Sequence, residues 1–354
     1  MPARERAVSP PKPVQPADSP AAGTCAGRNG ATPSLASKVA FLCRRGSYPE
    51  RPATVEVIET RLSWVFLTPN EVWKLKKPLR YDHLDFSRAD ARRHDCLEEV
   101  RLNAPLAPGV YRGVVPLTSD AEGWLALDGE GTPVDHLVRM RRLPRDACLE
   151  QCIGEARADR ADVERAAQRL AAFYLEAADA DRVDPARMAA VIEDEARALR
   201  ELPLPRPREG ERLRDGLLRW LRQHEGQLRE RRQIEAHGDL RPQHIYLTRP
   251  PVFIDRLTFR RDLRLMDPFE ELGFLALDCE RLGAPWIGEC FLRTYAEASG
   301  DRPDTPLVAF YRARRGLLWA VLSGRHLIGG NTDRPWERIA VRYRTLALRW
   351  LAAA

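Results

Sequence analysis

His237-Gly238-Asp239-Leu240-Arg241-Pro242-Gln243-His244 is followed in the chain by Ile245-Tyr246-Leu247 and then by Val252-Phe253-Ile254-Asp255. Two short apolar runs separated by Thr248-Arg249-Pro250-Pro251 predict two strands joined by a turn. One acid, Asp239, stands before the first run, and another, Asp255, directly ends the second. Such a hairpin is expected to hold the two carboxylates close together at one edge of a cleft. Either acid alone reads equally well as a turn cap or a loop start. Together they form the layout that phosphoryl transfer needs: one Asp takes or orients the proton of an acceptor hydroxyl, and the other holds Mg²⁺ on nucleotide phosphates.

Working outward, the chain before this stretch is β-rich and the chain around and after it is helical. Residues 1–36 are rich in Pro, Ala, Ser and Gly and cannot bury enough apolar surface to offset their ordering entropy, so they read as a disordered tail. From Leu35 a short amphipathic helix is expected. Strands are expected at 55–59, 62–67, 72–76, 110–117, 124–127 and 134–140, with a helix at 87–104 capped by Ser87. Beyond Pro144, helices are expected at 160–178, 185–201, 211–232, 269–282, 287–297, 305–327 and 336–352, interrupted by a β-rich interval at 245–265. The result is an α+β architecture of two lobes, 37–144 and 145–354, with a cleft between them as the natural ligand site.

Composition narrows the partners. The 354 residues are 44% hydrophobic and 31% charged, which excludes a disordered chain and a coiled-coil rod. No run of apolar residues is long enough to span a bilayer, and the first residues lack an apolar signal core, so a cytoplasmic protein is expected. Seven scattered cysteines with no CxxC pair fit a reducing compartment. The net charge of +6 arises from 57 basic and 51 acidic residues, too interleaved to suggest a nucleic-acid-binding surface. Among those basic residues only five are lysines, and three of them, Lys74, Lys76 and Lys77, fall within four positions. Where arginine is the default cation, such a cluster points to a site that wants a compact ammonium, or else to a solvated strand end. Arg312, Arg314, Arg315 and Arg325 give one helix a basic face, read here as solvated charge rather than a lining for anions. His83, His94, His136, His224 and His326 are isolated and read as surface or packed side chains. Trp220, Trp319 and Trp350 read as core.

The motif His237-Gly238-Asp239 with Ile254-Asp255 in matching order and spacing resembles the aminoglycoside phosphotransferase-like kinases, which have a protein-kinase-like fold. Asp267-Pro268 with Glu271-Leu272 resembles the D-P-x-x-D-L element of that family, with Glu in place of the second Asp. The segments 59–67, 72–78, 84–87 and 139–144 are similar to the branch often fused to a P-loop ATPase; the likeness spans roughly residues 37–330. No GxxxxGK[ST] occurs in the sequence, so the ATPase part is not expected in this chain.

The resemblance implies ATP and Mg²⁺ as cofactors, a small-molecule hydroxyl as acceptor, and neither nucleic acid nor membrane as partner. It implies Asp239 and His237 as the catalytic pair and Asp255 as the metal ligand. Lys74 is expected to clamp the nucleotide phosphates, because the apolar Val72 two positions earlier would line the adenine slot; Lys76 is the alternative. Glu99 is expected to anchor the lysine, with Glu98 as the competing candidate, and the backbone near Met140 to meet adenine. Three departures stand out: His244 occupies the position of the family's catalytic-loop Asn, Thr258 replaces an acid, and no Gly-rich phosphate loop is visible. His244 is therefore an auxiliary metal ligand at most, being softer than Mg²⁺ prefers. The rival to a kinase is a nucleotide-binding pseudokinase or partner-binding module.

Overall fold

The computed structural model describes residues 33–81, 84–328 and 335–354. The stretch 1–32, most of the expected disordered tail, and His83 lie outside them. The described residues divide into two compact units, one of 33–144 together with Ile254–Phe259, the other of Arg145–Phe253 and those described from Arg260 to Ala354.

The first unit begins with α1 (Leu35–Leu42), capped by Ser34, whose hydroxyl accepts from the Ser37 amide at 3.1 Å. The strands follow as β1 (Glu56–Glu59), β2 (Ser63–Leu67), β3 (Glu71–Lys76), the short pair β4 (Arg80–Tyr81) and β5 (Leu84–Asp85), then helix α2 (Ala89–Asn103) and strands β6 (Tyr111–Ser119), β7 (Leu125–Leu127) and β8 (Thr132–Arg141). Six of these form one antiparallel sheet in the order β1-β2-β3-β8-β6-β7. Period-two alternation sorts β3 into two faces. Trp73 and Leu75 go into a core with Leu42, Tyr48, Phe66, Leu117 and Leu137. Val72, Lys74 and Lys76 share the other face.

Ser87 does not cap α2. Its amide and hydroxyl both bond the Asp85 carboxylate, at 2.9 and 2.5 Å, and the helix starts at Ala89 with no side-chain cap. The Asx turn competes with the cap and wins. Arg92 then ties the turn to the helix by donating to the Phe86 and Ser87 carbonyls at 2.7 and 3.1 Å.

The second unit comprises α3 (Leu149–Gly154), α4 (Arg160–Glu176), β9 (Asp179–Arg182), α5 (Pro185–Glu201), α6 (Arg208–Gln223), α7 (Glu225–Glu230), β10 (Arg232–Glu235), β11 (Ile245–Tyr246), β12 (Val252–Phe253), β13 (Leu265–Met266), α8 (Pro268–Arg281), α9 (Pro285–Ser299), α10 (Thr305–Ile328) and α11 (Trp336–Leu351). The single helix expected over 211–232 is two helices, broken at His224, whose ring stacks 4.2 Å from Trp220 and bonds the Trp220 carbonyl at 2.9 Å. The expected β-rich interval 245–265 holds only two-residue strands, because residues 254–259 leave this unit and group with the first.

Every residue of α8 from Pro268 to Cys279 is buried. Its start is set by Asp267, which accepts from the Phe269 amide at 2.8 Å and is itself held by Arg231 at 2.6 Å and the Tyr311 hydroxyl at 3.0 Å. The reading of the α10 arginines as solvated charge fails for three of the four. Arg312 and Arg315 are 3% and 7% exposed, Arg312 pairs with Glu289 at 2.7 Å, and Arg314 pairs with Glu270. Only Arg325 is exposed. Carboxylates on α8 and α9 supply the partners that the α10 sequence by itself does not reveal. Trp220 is buried, whereas Trp319 and Trp350 are half-buried. No helix among the described residues is long and apolar enough to cross a membrane.

Candidate active site

In the first unit, β3 and α2 together build a charge cluster. Asp95, Glu99 and Asn103 recur every fourth residue and so share one stripe of α2. Glu99 accepts from Lys74 Nζ at 2.9 Å through one oxygen and from Lys76 Nζ at 2.6 Å through the other. Lys76 is also 2.5 Å from Asp95. Glu98, the alternative anchor, instead pairs with Arg101 on the surface.

Lys74 has a second partner, Asp255, at 2.5 Å. The Asp255 backbone has φ +64°, a left-handed conformation that Asp tolerates better than most residues but at some cost. Neighbours hold it there: the Asp255 amide donates to Tyr111 Oη at 3.0 Å, and the Arg256 amide donates to Asn103 Oδ1 at 2.9 Å. Asn103 in turn donates to the Glu99 carbonyl at 2.8 Å. These bonds are the reason six residues distant in sequence belong with the sheet.

Exposure separates the members. The side chains of Glu99 and Lys76 are 2% and 5% exposed, Lys74 is 16% exposed, and Asp255 is 44% exposed. Burial opposes the Lys74 charge, but the Asp255 and Glu99 carboxylates outweigh it and hold its pKa well above the ordinary lysine value. Burial likewise pushes the Glu99 carboxyl up, and the two lysines pull it below the usual range. Burial and the adjacent Glu99 and Asp255 carboxylates push the Tyr111 phenol far up, so it stays neutral. Val72 and Met140 are direct cross-strand partners, on the same face as Lys74.

In the second unit, β10 leads through Ala236 into the His237-Gly238-Asp239 loop. Gly238 has φ +89°, which a side chain would resist. Glu271 from α8 fastens the loop: its carboxylate accepts from the amides of His237 and Gly238 at 2.9 and 2.5 Å and from the Tyr174 hydroxyl. Burial pushes the Glu271 carboxyl up, and these three donors offset part of that. His237 is fully buried, and its Nδ1 accepts from the Asp239 amide at 3.3 Å. It therefore helps to position the loop. The Asp239 side chain is 30% exposed.

His244 turns back onto the same loop. Its Nδ1 lies 2.8 Å from the Asp239 carbonyl, which can only accept, so Nδ1 carries the proton. Nε2 faces the Gln243 side-chain amide at 3.1 Å. Either way, His244 braces the backbone of Asp239.

Among the described residues, no three His, Cys, Asp or Glu side chains form a ready metal cage. Asp255 suits Mg²⁺ in kind, being a hard, accessible carboxylate, and Mg²⁺ commonly takes one or two protein carboxylates and fills its remaining positions with phosphates and water. His244 suits it poorly, since only a nitrogen already facing Gln243 remains.

The structure thus gathers Lys74, Lys76, Glu99 and Asp255 in one unit and His237, Asp239, His244 and Glu271 in the other. Sequence reading missed Asp95, Asn103 and Tyr111. The four-residue spacing of Asp95, Glu99 and Asn103 was the available signal for the first two; nothing in the sequence marks Tyr111.

No family model matches the chain. It is 28% identical over 314 residues to uncharacterized proteins of Mycobacterium tuberculosis and Mycobacterium bovis, covering 85% of this chain but 60% of theirs. Among solved structures it is similar to a choline/ethanolamine kinase family protein from Mesorhizobium loti, with 16% identity, 89% of this chain and 98% of that chain covered, and a TM-score of 0.54. It is also similar to the choline kinase LicA from Streptococcus pneumoniae, with 16% identity, 84% and 95% covered, and a TM-score of 0.52. LicA in complex with AMP gives 0.51. The chain has the protein-kinase-like fold of these small-molecule kinases.

Proposed function

We propose that this protein is a phosphotransferase that moves the γ-phosphoryl group of ATP to a hydroxyl of a small molecule. The observation that carries the reading is Lys74, held at once by Glu99 and by the accessible Asp255 in a protein-kinase-like fold. A lysine so placed presents an ammonium of fixed charge to nucleotide phosphates. Asp255 would hold Mg²⁺, which when bound offsets the charge on the transferring phosphoryl group. Val72 and Met140 would meet the adenine.

Asp239 would orient the acceptor hydroxyl and take its proton. The rest of its loop supplies rigidity. Glu271, His237 and His244 fix three successive backbone positions, so the Asp239 carboxylate has little freedom to lose when an acceptor arrives. The six described cysteines are all free, which supports a reducing, cytoplasmic setting.

One observation favours a second reading, nucleotide binding without transfer: a histidine committed to the Asp239 carbonyl stands where the resembled family has a metal-binding Asn. A phosphotransfer screen across hydroxylated metabolites and aminoglycosides, with Mg²⁺ and ATP, separates the two. Transfer that disappears in Asp239→Asn supports the kinase; ATP-induced thermal stabilisation that ignores Mg²⁺, with no transfer to any acceptor, supports the second reading.

A further inference from the structure

Arg241 follows Asp239 by two residues and takes no part in the scaffold just described. Its guanidinium lies 4.0 Å from the centroid of the Trp319 ring, and that ring stacks in parallel on Phe274 at 5.1 Å. The side chain is 15% exposed. Its ion-pair partner among the described residues is Asp278, at 3.7 Å, beyond hydrogen-bonding reach. Asp278 is already engaged, accepting from Tyr343 Oη and from Arg281 Nε, both at 2.6 Å. Arg241 donates no hydrogen bond to any described residue, and its Nε is buried without a partner.

A guanidinium held flat against an indole, with its donors unspent, is pre-organised to receive a planar or tetrahedral oxyanion. Two carboxylates, Asp239 and Asp278, act on the Arg241 charge, and Arg281 opposes them; Arg241 hydrogen-bonds neither acid, so its donors stay open to a ligand. The same arrangement argues against a cationic acceptor. An ammonium group is recognised over an aromatic face, and the Trp319 face already carries Arg241.

We infer that the acceptor is an alcohol bearing a carboxylate or phosphate, whose anionic group is bound by Arg241 while its hydroxyl addresses Asp239. The inference rests on the phosphotransferase reading and names the substrate class of that site. Arg241 is thereby a specificity-determining residue.

The test separates binding from turnover. The full-length Asp239→Asn protein is titrated calorimetrically with glycerate, tartrate, glycerol 3-phosphate and glucose 6-phosphate, and with glycerol and choline as neutral and cationic controls. At least one anion binds and the controls do not. Adding Arg241→Gln weakens that anion about ten- to hundredfold, Arg241→Lys weakens it less, and the affinity for ATP stays within about twofold. Binding of choline or glycerol in preference to every anion overturns the inference, as does an Arg241→Gln defect confined to ATP, which would assign the arginine to nucleotide phosphate. Transfer to neutral alcohols alone keeps the phosphotransferase and ends the anionic acceptor. Anion binding lost in Arg241→Gln, with no transfer to any alcohol by the wild-type protein, keeps the anion site and ends the phosphotransferase.

Discussion

Lys74 and Lys76 share a strand face and a carboxylate, yet the geometry gives them different duties. Lys76 is enclosed by Glu99 and Asp95. Removing it leaves Glu99 with Lys74 alone and takes from buried Asp95 its lysine partner, and breaking such a pair typically costs about 3–5 kcal/mol. Lys76→Met is therefore expected to lower the urea midpoint markedly, with loss of function following from instability. Lys74 faces the accessible Asp255 and leaves Glu99 still paired to Lys76 when removed. Lys74→Met should unfold close to the wild-type midpoint and bind ATP about tenfold more weakly or worse. Equal destabilisation by the two substitutions would remove the distinction. Glu271→Gln puts a donor in place of one of the two oxygens that together accept from two amides and a hydroxyl. The mismatch is expected to cost about 1–3 kcal/mol and to reduce turnover more than ATP binding, measured by paired kinetics and titration. Lysine clustering was visible in the sequence; the sharing of Glu99 was not, because it depends on how α2 lies along β3.

At the scale of elements, close helix packing makes its own demands. A Cβ built on Gly288 of α9 would come within 2.2 Å of the Ala276 Cα on α8. That contact is with backbone, which cannot swing aside, so Gly288→Ala should destabilise by about 1–3 kcal/mol, read as a lowered midpoint in thermal or urea unfolding. Glu195 on α5 gives a pH signature. Burial raises its pKa from 4.5 to about 7, although Arg314, Arg315 and Arg325 pull it down, with Glu270 adding to the rise. Its Oε2 is buried without a hydrogen bond. Between pH 4.5 and 7 the unfolded chain releases a proton that the folded chain keeps, so stability falls as pH rises through that window and stays lower above it. Glu195→Gln should flatten this slope and add about 1–3 kcal/mol at pH 8, measured by urea unfolding across pH. An unchanged slope would show that Glu195 is not the titrating group. Helix positions were the most legible feature of the sequence, since α5 spans Pro185–Glu201, the range expected for it. What escaped was decided by competition between local bonds: Asp85 taking Ser87 from α2, and His224 dividing α6 from α7.

For the whole molecule, the His-Gly-Asp motif and the Ile-Asp pair were enough to anticipate a β-rich unit, a helical unit and a protein-kinase-like fold. They could not show that Ile254–Phe259 groups with the sheet, because that follows from bonds to Asn103 and Tyr111 across large sequence separations. Nor could they show which side chains scaffold the loop and which face solvent, a matter of burial. The matched stretch spans 60% of the length of the mycobacterial relatives. The proposed chemistry turns on Asp239 activating an acceptor hydroxyl toward ATP. The most direct measurement follows ³²P from γ-labelled ATP into a panel of hydroxylated acceptors, with Mg²⁺, using wild-type protein and Asp239→Asn. A labelled product is expected with wild type, reduced by about 10²–10⁴-fold in Asp239→Asn while ATP still binds. Label transfer that is undiminished in Asp239→Asn would contradict it.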